Sequence, residues 1–395
     1  MDIDDLVILV GGRGTRLGKI TNNVPKPLIK IDDKPFLDLL LSKLIKYNFK
    51  KIYLLCSYKK NIFFQKYNNL KIHNSKIICI DEGKQKGTGG ALFKLKKYLK
   101  KNFIMINGDT FFDINLNILK KRNLKNNSIF VALSNAKKSK NNYLIKDLAL
   151  NKNKVFFPQK KTNMMNGGIY IINKKILKKI QNKYLSFETN ILYHEINKNK
   201  VEGEYFDADF IDIGSKFKLN YLKKNSKFLK NKCFFLDRDG VINKDVGYLK
   251  SFKNFIFLKD VSKAIKFLNN KSYLVIIITN QAAVGKQIIS ENNLKFIHNK
   301  MKSVLYKKNN SYIDDIYYAP FFKNSKILKY RKNSYDRKPF PGMFKKAINK
   351  WNIDVKSSFF IGDQLSDMIA ASRVNIKFYY KKDISLYDQI KNIVN

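Results

Sequence analysis

Two carboxylates two residues apart close an apolar run in the segment CFFLDRDGVIN, Cys233 to Asn243. Residues i and i+2 at the end of a strand point the same way, so Asp237 and Asp239 are expected to face one pocket. Like charges this close repel unless a cation or a shared proton compensates. Three later segments supply companions: VIIITNQ ends in Thr279 and Asn280, DRKPFPG carries Arg337 and Lys338, and FFIGDQLSD carries Asp363, with Asp367 following. The first stretch alone also reads as a solvated loop with two acids. Together the stretches describe phosphoryl transfer. Asp237 attacks and forms an aspartyl-phosphate, and Asp239 protonates the leaving alcohol and then activates water. Thr279 and Lys338 neutralise the transferring oxygens. Mg2+ is expected on Asp237, Asp363 and the backbone carbonyl of Asp239.

A different set opens the chain. VGGRGTRLGKITNNVPKP follows the first apolar run directly. Gly11, Gly12 and Gly14 let backbone N–H groups converge on a phosphate, and Arg13, Arg16 and Lys26 supply charge for a triphosphate. The spacing fits neither the dinucleotide fingerprint nor the P-loop, so a structural turn is the alternative at this point. Further segments weaken it. KGTGGAL, with Gly87, Thr88 and Gly89, suits close approach of a flat base; NGDTFF and FIDIGS each place a carboxylate, Asp109 and Asp212, just beyond an apolar run. A triphosphate loop with two strand-end carboxylates describes Mg2+-dependent nucleotidyl transfer.

The elements that must position these residues alternate. Short apolar runs at 6–10, 51–56, 76–80, 103–106, 128–133 and 168–172 read as strands, separated by helical patterns such as KPFLDLLLSKLIKYN, apolar at 36, 37, 40, 41, 44 and 45. After a lysine-rich helical stretch, 216–232, a second series begins, with strands near 233–236, 273–278, 313–318, 357–361 and 376–380. The expected fold class is α/β, with two doubly wound domains, 1–228 and 229–395.

Bulk properties exclude other classes. A hydrophobic share of 44% supports two packed cores. The formal charge of +47 invites a nucleic-acid reading, but the lysines are scattered through every segment, as codon drift in an AT-rich genome would leave them. Only seven of the 78 basic residues are Arg, and four of these sit inside the motifs above, where drift did not put them. Cys56, Cys79 and Cys233 are far apart in apolar runs and read as core residues of a reducing compartment. The apolar run at the acidic N-terminus is too short for a signal peptide, and none elsewhere reaches membrane-spanning length. A cytoplasmic protein is expected, without nucleic-acid or membrane partners.

The first motif set resembles the sugar-1-phosphate nucleotidyltransferase family over about residues 1–225. VPKPLIKIDDKPFL, GTGGAL, NGDTFFDINL, NGGIYIIN and SFETNIL look most like its D-glycero-D-manno-heptose 1-phosphate guanylyltransferases. The resemblance implies a Rossmann-like domain using a nucleoside triphosphate, GTP favoured. It puts the phosphates on the Gly11–Thr15 loop, Arg16 and Lys26, the base on Gly87–Gly89, and the sugar on Asn166, Gly167 and Glu188. Asp109 and Asp212 would hold Mg2+. Where the family commonly has a Glu-Lys pair this chain has PQKK, and Lys160 is taken as the sugar-phosphate lysine. The second set is similar to the haloacid dehalogenase (HAD) phosphatases over about residues 232–380. Its local text looks like the D,D-heptose 1,7-bisphosphate phosphatase branch, to which histidinol-phosphate phosphatases are close. Arg337 and Lys338 are then phosphate ligands. Many members carry a zinc loop before RKP; here that stretch has no Cys or His, so no structural zinc is expected. Gln364 stands where a Lys often follows. Two consecutive steps of nucleotide-activated heptose synthesis are implied; mannose 1-phosphate and another phosphomonoester such as histidinol phosphate are the alternative substrates. Oligomeric state is not legible.

Overall fold

A computed structural model describes residues 3–72, 74–99, 101–124, 128–135 and 148–394. The chain forms two compact units, Met1–Leu229 and Lys230–Asn395. Both are α/β. Among the described residues no helix is long and apolar enough to cross a membrane.

The first unit is built on a ten-stranded sheet. Toward one edge of it four parallel strands lie in the order Ser75–Asp81, Lys51–Cys56, Asp5–Leu9, Phe103–Asn107. Side chains of a strand alternate between faces, and both faces here are apolar. Leu6, Ile8, Ile52 and Leu54 enter one core, with Phe36, Leu40 and Leu44 of the helix Phe36–Leu44 packed in it. Val7, Tyr53 and Leu55 enter the core on the other face. Burial on both faces is why these strands read as unbroken apolar runs. Hydrogen bonds from Val10 N to Leu55 O (3.1 Å), Glu82 N to Cys56 O (2.9 Å) and Gly108 N to Leu9 O (2.9 Å) keep the strands' carboxyl ends level. Three chain segments therefore leave the sheet side by side: the Gly11 loop, the stretch from Glu82, and the turn at Asp109. A small antiparallel ladder, Thr110–Phe112 with Phe210–Asp212, sets Asp212 opposite Thr110.

The second unit has five parallel strands in the order Asp315–Ala319, Leu274–Asn280, Cys233–Leu236, Phe359–Gly362, Lys377–Tyr380. Phe234 and Leu236 face a core shared with Val261, Ile265 and Leu268 of the helix Val261–Asn270. Phe235 faces the other side, where the Phe344 ring sits edge-on, 5.1 Å from it. The lysine-rich stretch after Asp212 is α-helical over Lys216–Lys224, where Asn225 turns its amide back onto Tyr221 O, and continues as a 3-10 turn over Ser226–Leu229.

Candidate active sites

In the second unit, the central strand Cys233–Leu236 is fully buried and delivers Asp237 at its carboxyl end. Its neighbours deliver Thr279 and Asn280 on one side and Asp363 on the other. This is where open α/β sheets place ligands. Lys338 Nζ lies 2.9 Å from Asp237 Oδ2 and 2.6 Å from Asp367 Oδ1, and donates to Ile278 O at 2.9 Å. Asn280 fixes it from behind, accepting from Lys338 N (3.0 Å) and donating to Lys338 O (3.1 Å). One oxygen each from Asp237, Asp363 and Asp367 lie within 4.8 Å of one another. Three carboxylates sharing one ammonium are short of positive charge. Burial, with Asp367 adding to it, accordingly pushes the Asp237 carboxyl up to about 7 despite Lys338. A hard divalent cation with oxygen ligands fits this donor set. Gly240 makes room for the Asp363 carboxylate in that set: a Cβ there would sit 2.2 Å from Asp363 Oδ2, and its φ of 76° is left-handed.

The Asp239 carboxylate is held from several sides. It accepts from Arg238 Nη2 (2.9 and 2.8 Å), Asn243 Nδ2 (2.9 Å) and Gln281 Nε2 (2.8 Å). Gln281 Nε2 also donates to the buried Thr279 hydroxyl at 2.9 Å, tying Asp239 to the adjacent strand end. Arg337 donates to Phe321 O at 3.3 Å. Gln364 caps the helix Leu365–Ser372 together with Asp367 and donates to Asp363 Oδ2 at 3.2 Å. The loop before Arg337 is pinned by Glu291, which accepts from Tyr330 (2.6 Å), Lys329 (2.9 Å) and Tyr318 (2.9 Å).

The first unit holds a cavity of about 460 Å³ at its strand ends, and Gly11, Gly12, Arg13, Arg16, Lys26, Gly87, Thr88, Asp109 and Glu188 all line it. Gly14, with φ 68°, turns the chain into the short helix Thr15–Leu17 beneath. Lys26 is buried and pairs with Asp109 at 2.5 Å. Burial, the largest single influence, would raise Asp109, but the Lys26 charge together with hydrogen bonds from Lys26 and Thr110 outweighs it and holds the carboxyl below its ordinary range. Asp212 is joined to Asp109 through Ile213 N, which donates to Asp109 O at 2.9 Å; its own carboxylate pairs with Lys218. Gly87, Gly89 and Gly90 are glycines because a strap packs on them: Cβ atoms there would lie 2.5 Å and 3.1 Å from Leu185 O and 2.4 Å from Lys183 O. Thr88 receives Phe187 N (2.8 Å) and donates to Glu188 (3.0 Å), so the strap carries Glu188 and Tyr184 to the cavity wall.

Other expected sugar contacts are not on that wall. Asn166 donates to the Tyr170 hydroxyl (2.7 Å) and accepts from Gly168 N (2.9 Å), Gly167 packs against Phe112, and Lys160 is exposed. Two residues that motif reading passed over are on it. Gln85 donates to Gly11 O at 3.0 Å. Glu82, only 7% exposed, lies so close to Gly11 that a Cβ there would meet its Oε1 at 2.7 Å. Burial, with Asp81 adding, pushes the Glu82 carboxyl up to about 7. Among the described residues no donor answers it.

The nucleotidyl transferase family profile matches residues 6–256, and that of the polynucleotide kinase 3 phosphatases matches residues 232–390. The first part is 38% identical to a D-glycero-alpha-D-manno-heptose 1-phosphate guanylyltransferase of Campylobacter jejuni, covering 53% of this chain and 93% of that one. The second part is 36% identical to a D-glycero-beta-D-manno-heptose-1,7-bisphosphate 7-phosphatase of Haemophilus ducreyi, over 37% and 80% of the two chains. It is 37% identical to the corresponding alpha-anomer 7-phosphatase of Photorhabdus laumondii, again over 37% and 80%.

Proposed function

Because the chain belongs to the nucleotidyl transferase family and joins to it a phosphatase unit of the heptose-bisphosphatase kind, we propose that this enzyme makes a nucleotide-activated heptose in two steps. The second unit removes the 7-phosphate of D-glycero-D-manno-heptose 1,7-bisphosphate. An Asp237 oxygen attacks phosphorus, the bond to the sugar oxygen breaks, and Asp239 supplies that oxygen's proton. Water then attacks the aspartyl-phosphate, Asp239 takes a proton back, and phosphate leaves. Lys338, fixed by Asn280, and Thr279 face the transferring oxygens. Asp237, Asp363 and Asp367 would hold Mg2+, which when bound screens the charge of the phosphoryl group. The observation that carries this half is the convergence of those three carboxylates with Lys338 at neighbouring strand ends.

The first unit transfers GMP from GTP. An oxygen of the heptose 1-phosphate attacks the α-phosphorus, the bond to the bridging oxygen breaks, and pyrophosphate leaves. Arg13, Arg16 and Lys26 meet the phosphates, and the Gly11 and Gly87 segments flank the nucleoside. Lys26 exchanges Asp109 for phosphate, which would free Asp109 to hold Mg2+; Asp212 would join it on leaving Lys218. Glu82 favours guanine over the other bases. The guanine edge presents N1–H and N2–H donors side by side, and an unanswered carboxylate in the cavity accepts both. The named transferase relative supports the alpha anomer.

Phosphorus NMR tests both halves. With Mg2+ and the alpha and beta bisphosphates in separate tubes, the 7-phosphate signal should vanish; added GTP should then yield a sugar-nucleotide diphosphate. Asp237→Asn should abolish the first change and spare transfer to heptose 1-phosphate, and Asp109→Asn the reverse. Either substitution abolishing both activities in a folded protein refutes the two-site reading. Turnover confined to mannose 1-phosphate, histidinol phosphate or an oligonucleotide 3′-phosphate would replace the substrate.

A further inference from the structure

The acid–base group of the phosphatase half depends on a residue no motif contains. Arg238 is 2% exposed, and its guanidinium is shared between two partners. Nη2 and Nε grip the Asp239 carboxylate at 2.8–3.2 Å. Nη1 lies 3.1 Å from Nε2 of His298, on the helix Glu291–Asn309. A guanidinium has only donors, so the His298 nitrogen facing it must accept, which requires a neutral ring with its proton on Nδ1. The surroundings agree: burial first, and Arg238 second, push His298 down to about 3. The ring is itself fixed, buried and tilted at 61° to Tyr318 with 5.7 Å between centroids.

We propose that His298 is a positioning residue for the acid–base step: it fixes the Arg238 guanidinium, which in turn aims the Asp239 carboxylate beside Asp237. This rests on the reading of Asp239 as proton donor to the leaving alcohol. Without His298, Nη1 is a buried donor with no acceptor, and the cheapest repair is for the guanidinium to swing away, leaving Asp239 to Asn243 and Gln281 and so turning it from its aim. The strand and Asp237 would stay where they are. The damage is thus confined to proton transfer.

Leaving-group dependence reads that defect. A sugar phosphate expels an alkoxide and needs a proton; p-nitrophenyl phosphate expels a stable phenolate and needs little help. His298→Phe keeps the ring and its packing against Tyr318 but offers no acceptor. His298→Gln restores an acceptor oxygen. Each is assayed with Mg2+ below its own melting transition. His298→Phe should lose about 10- to 100-fold in kcat on the heptose bisphosphate and less than about 3-fold on p-nitrophenyl phosphate, a fraction of the factor a well-placed acid supplies. His298→Gln should recover most of the sugar-phosphate rate. Equal losses on the two esters, or a Gln variant no better than Phe, overturn the role of His298 and leave the phosphatase reading intact. A wild-type protein that hydrolyses neither ester removes that reading, and this proposal with it.

Discussion

Replacing Glu82 by Gln separates two consequences of burying a carboxyl group in the nucleotide cavity. Burial, then Asp81, moves it from its ordinary 4.5 up to about 7. A tenfold change in proton affinity is worth about 1.4 kcal/mol, so keeping Glu82 ionised in the empty cavity costs on the order of 3 kcal/mol. The unfolded chain releases this proton near 4.5 and the folded one near 7. The folded state is therefore favoured below 4.5, loses that advantage as pH rises to 7, and bears the full cost above it. Gln has no such titration. At pH 5 the variant and the wild type should melt together within a few degrees. At pH 8 the first unit of the variant should melt higher, by up to roughly 6–12 °C for a unit of this size. Binding should move the other way. The amide accepts one hydrogen bond where the carboxylate accepts two, and a bond to a charged group is worth about 1.5–3 kcal/mol, so KM for GTP should rise roughly 10- to 100-fold. Adenine pairs an acceptor with a donor, as the amide does, so the ATP-to-GTP ratio should rise as well. In the wild type, KM for GTP should fall between pH 6 and pH 8. A variant that melts with the wild type at pH 8 and keeps its KM for GTP would refute both the cost and the contact.

Three further outcomes are expected. Gly240→Ala places a Cβ 2.2 Å from Asp363 Oδ2 on a left-handed backbone; calorimetric Mg2+ binding to the nucleotide-free protein and phosphate release should both be lost, while GTP consumption persists. Glu291 is held at about 2 by Tyr330 and Lys329, so its stabilisation is present above 4.5 and lost as pH falls toward 2. Glu291→Gln should lower the melting temperature at pH 7 and flatten the acid limb of the melting curve between pH 5 and pH 2. Titration of the wild type with Mg2+ should show one site without nucleotide and more once GTP is added; a single site under both conditions counts against metal at Asp109 and Asp212.

Much of this was legible because parallel strands buried on both faces leave a plain trace. An apolar run that stops on Asp237, Thr279 or Asp363 announces both the strand and the end on which ligands gather. What lies between elements was less legible. Glu82 sits in the polar text DEGKQKG, which reads as solvated loop; only the level ends of neighbouring strands bury it against Gly11. The glycines at 87, 89 and 90 signalled a close approach, but what approaches is the strap 183–187, about a hundred residues on. Asn166 and Gly167 belong to a clear motif, yet the Asn amide serves Tyr170 and Gly168 within its own strand. His298 gave no signal: it is one polar residue on an amphipathic helix, and sixty residues separate it from Arg238.

The two sites answer the same electrostatic problem in different ways. Each gathers carboxylates at strand ends, where burial makes their charge expensive. Glu82 apart, the strand-end carboxylates of the first unit's site have their own lysines, Lys26 on Asp109 and Lys218 on Asp212. At Asp109 and Asp212 the positive and negative charges already balance, and a cation there has no deficit to fill until a triphosphate draws Lys26 away. In the second unit Lys338 serves Asp237 and Asp367 at once, and Asp363 receives a side-chain hydrogen bond from the neutral Gln364 amide rather than from an ammonium of its own among the described residues. That balance is short before any substrate arrives, which is why burial raises Asp237 even with an ammonium at 2.9 Å. The lysines scattered through this chain are therefore not equivalent. Four pairings decide which site calls for a metal on its own and which acquires one together with its nucleotide, and composition alone could not have separated them from the rest.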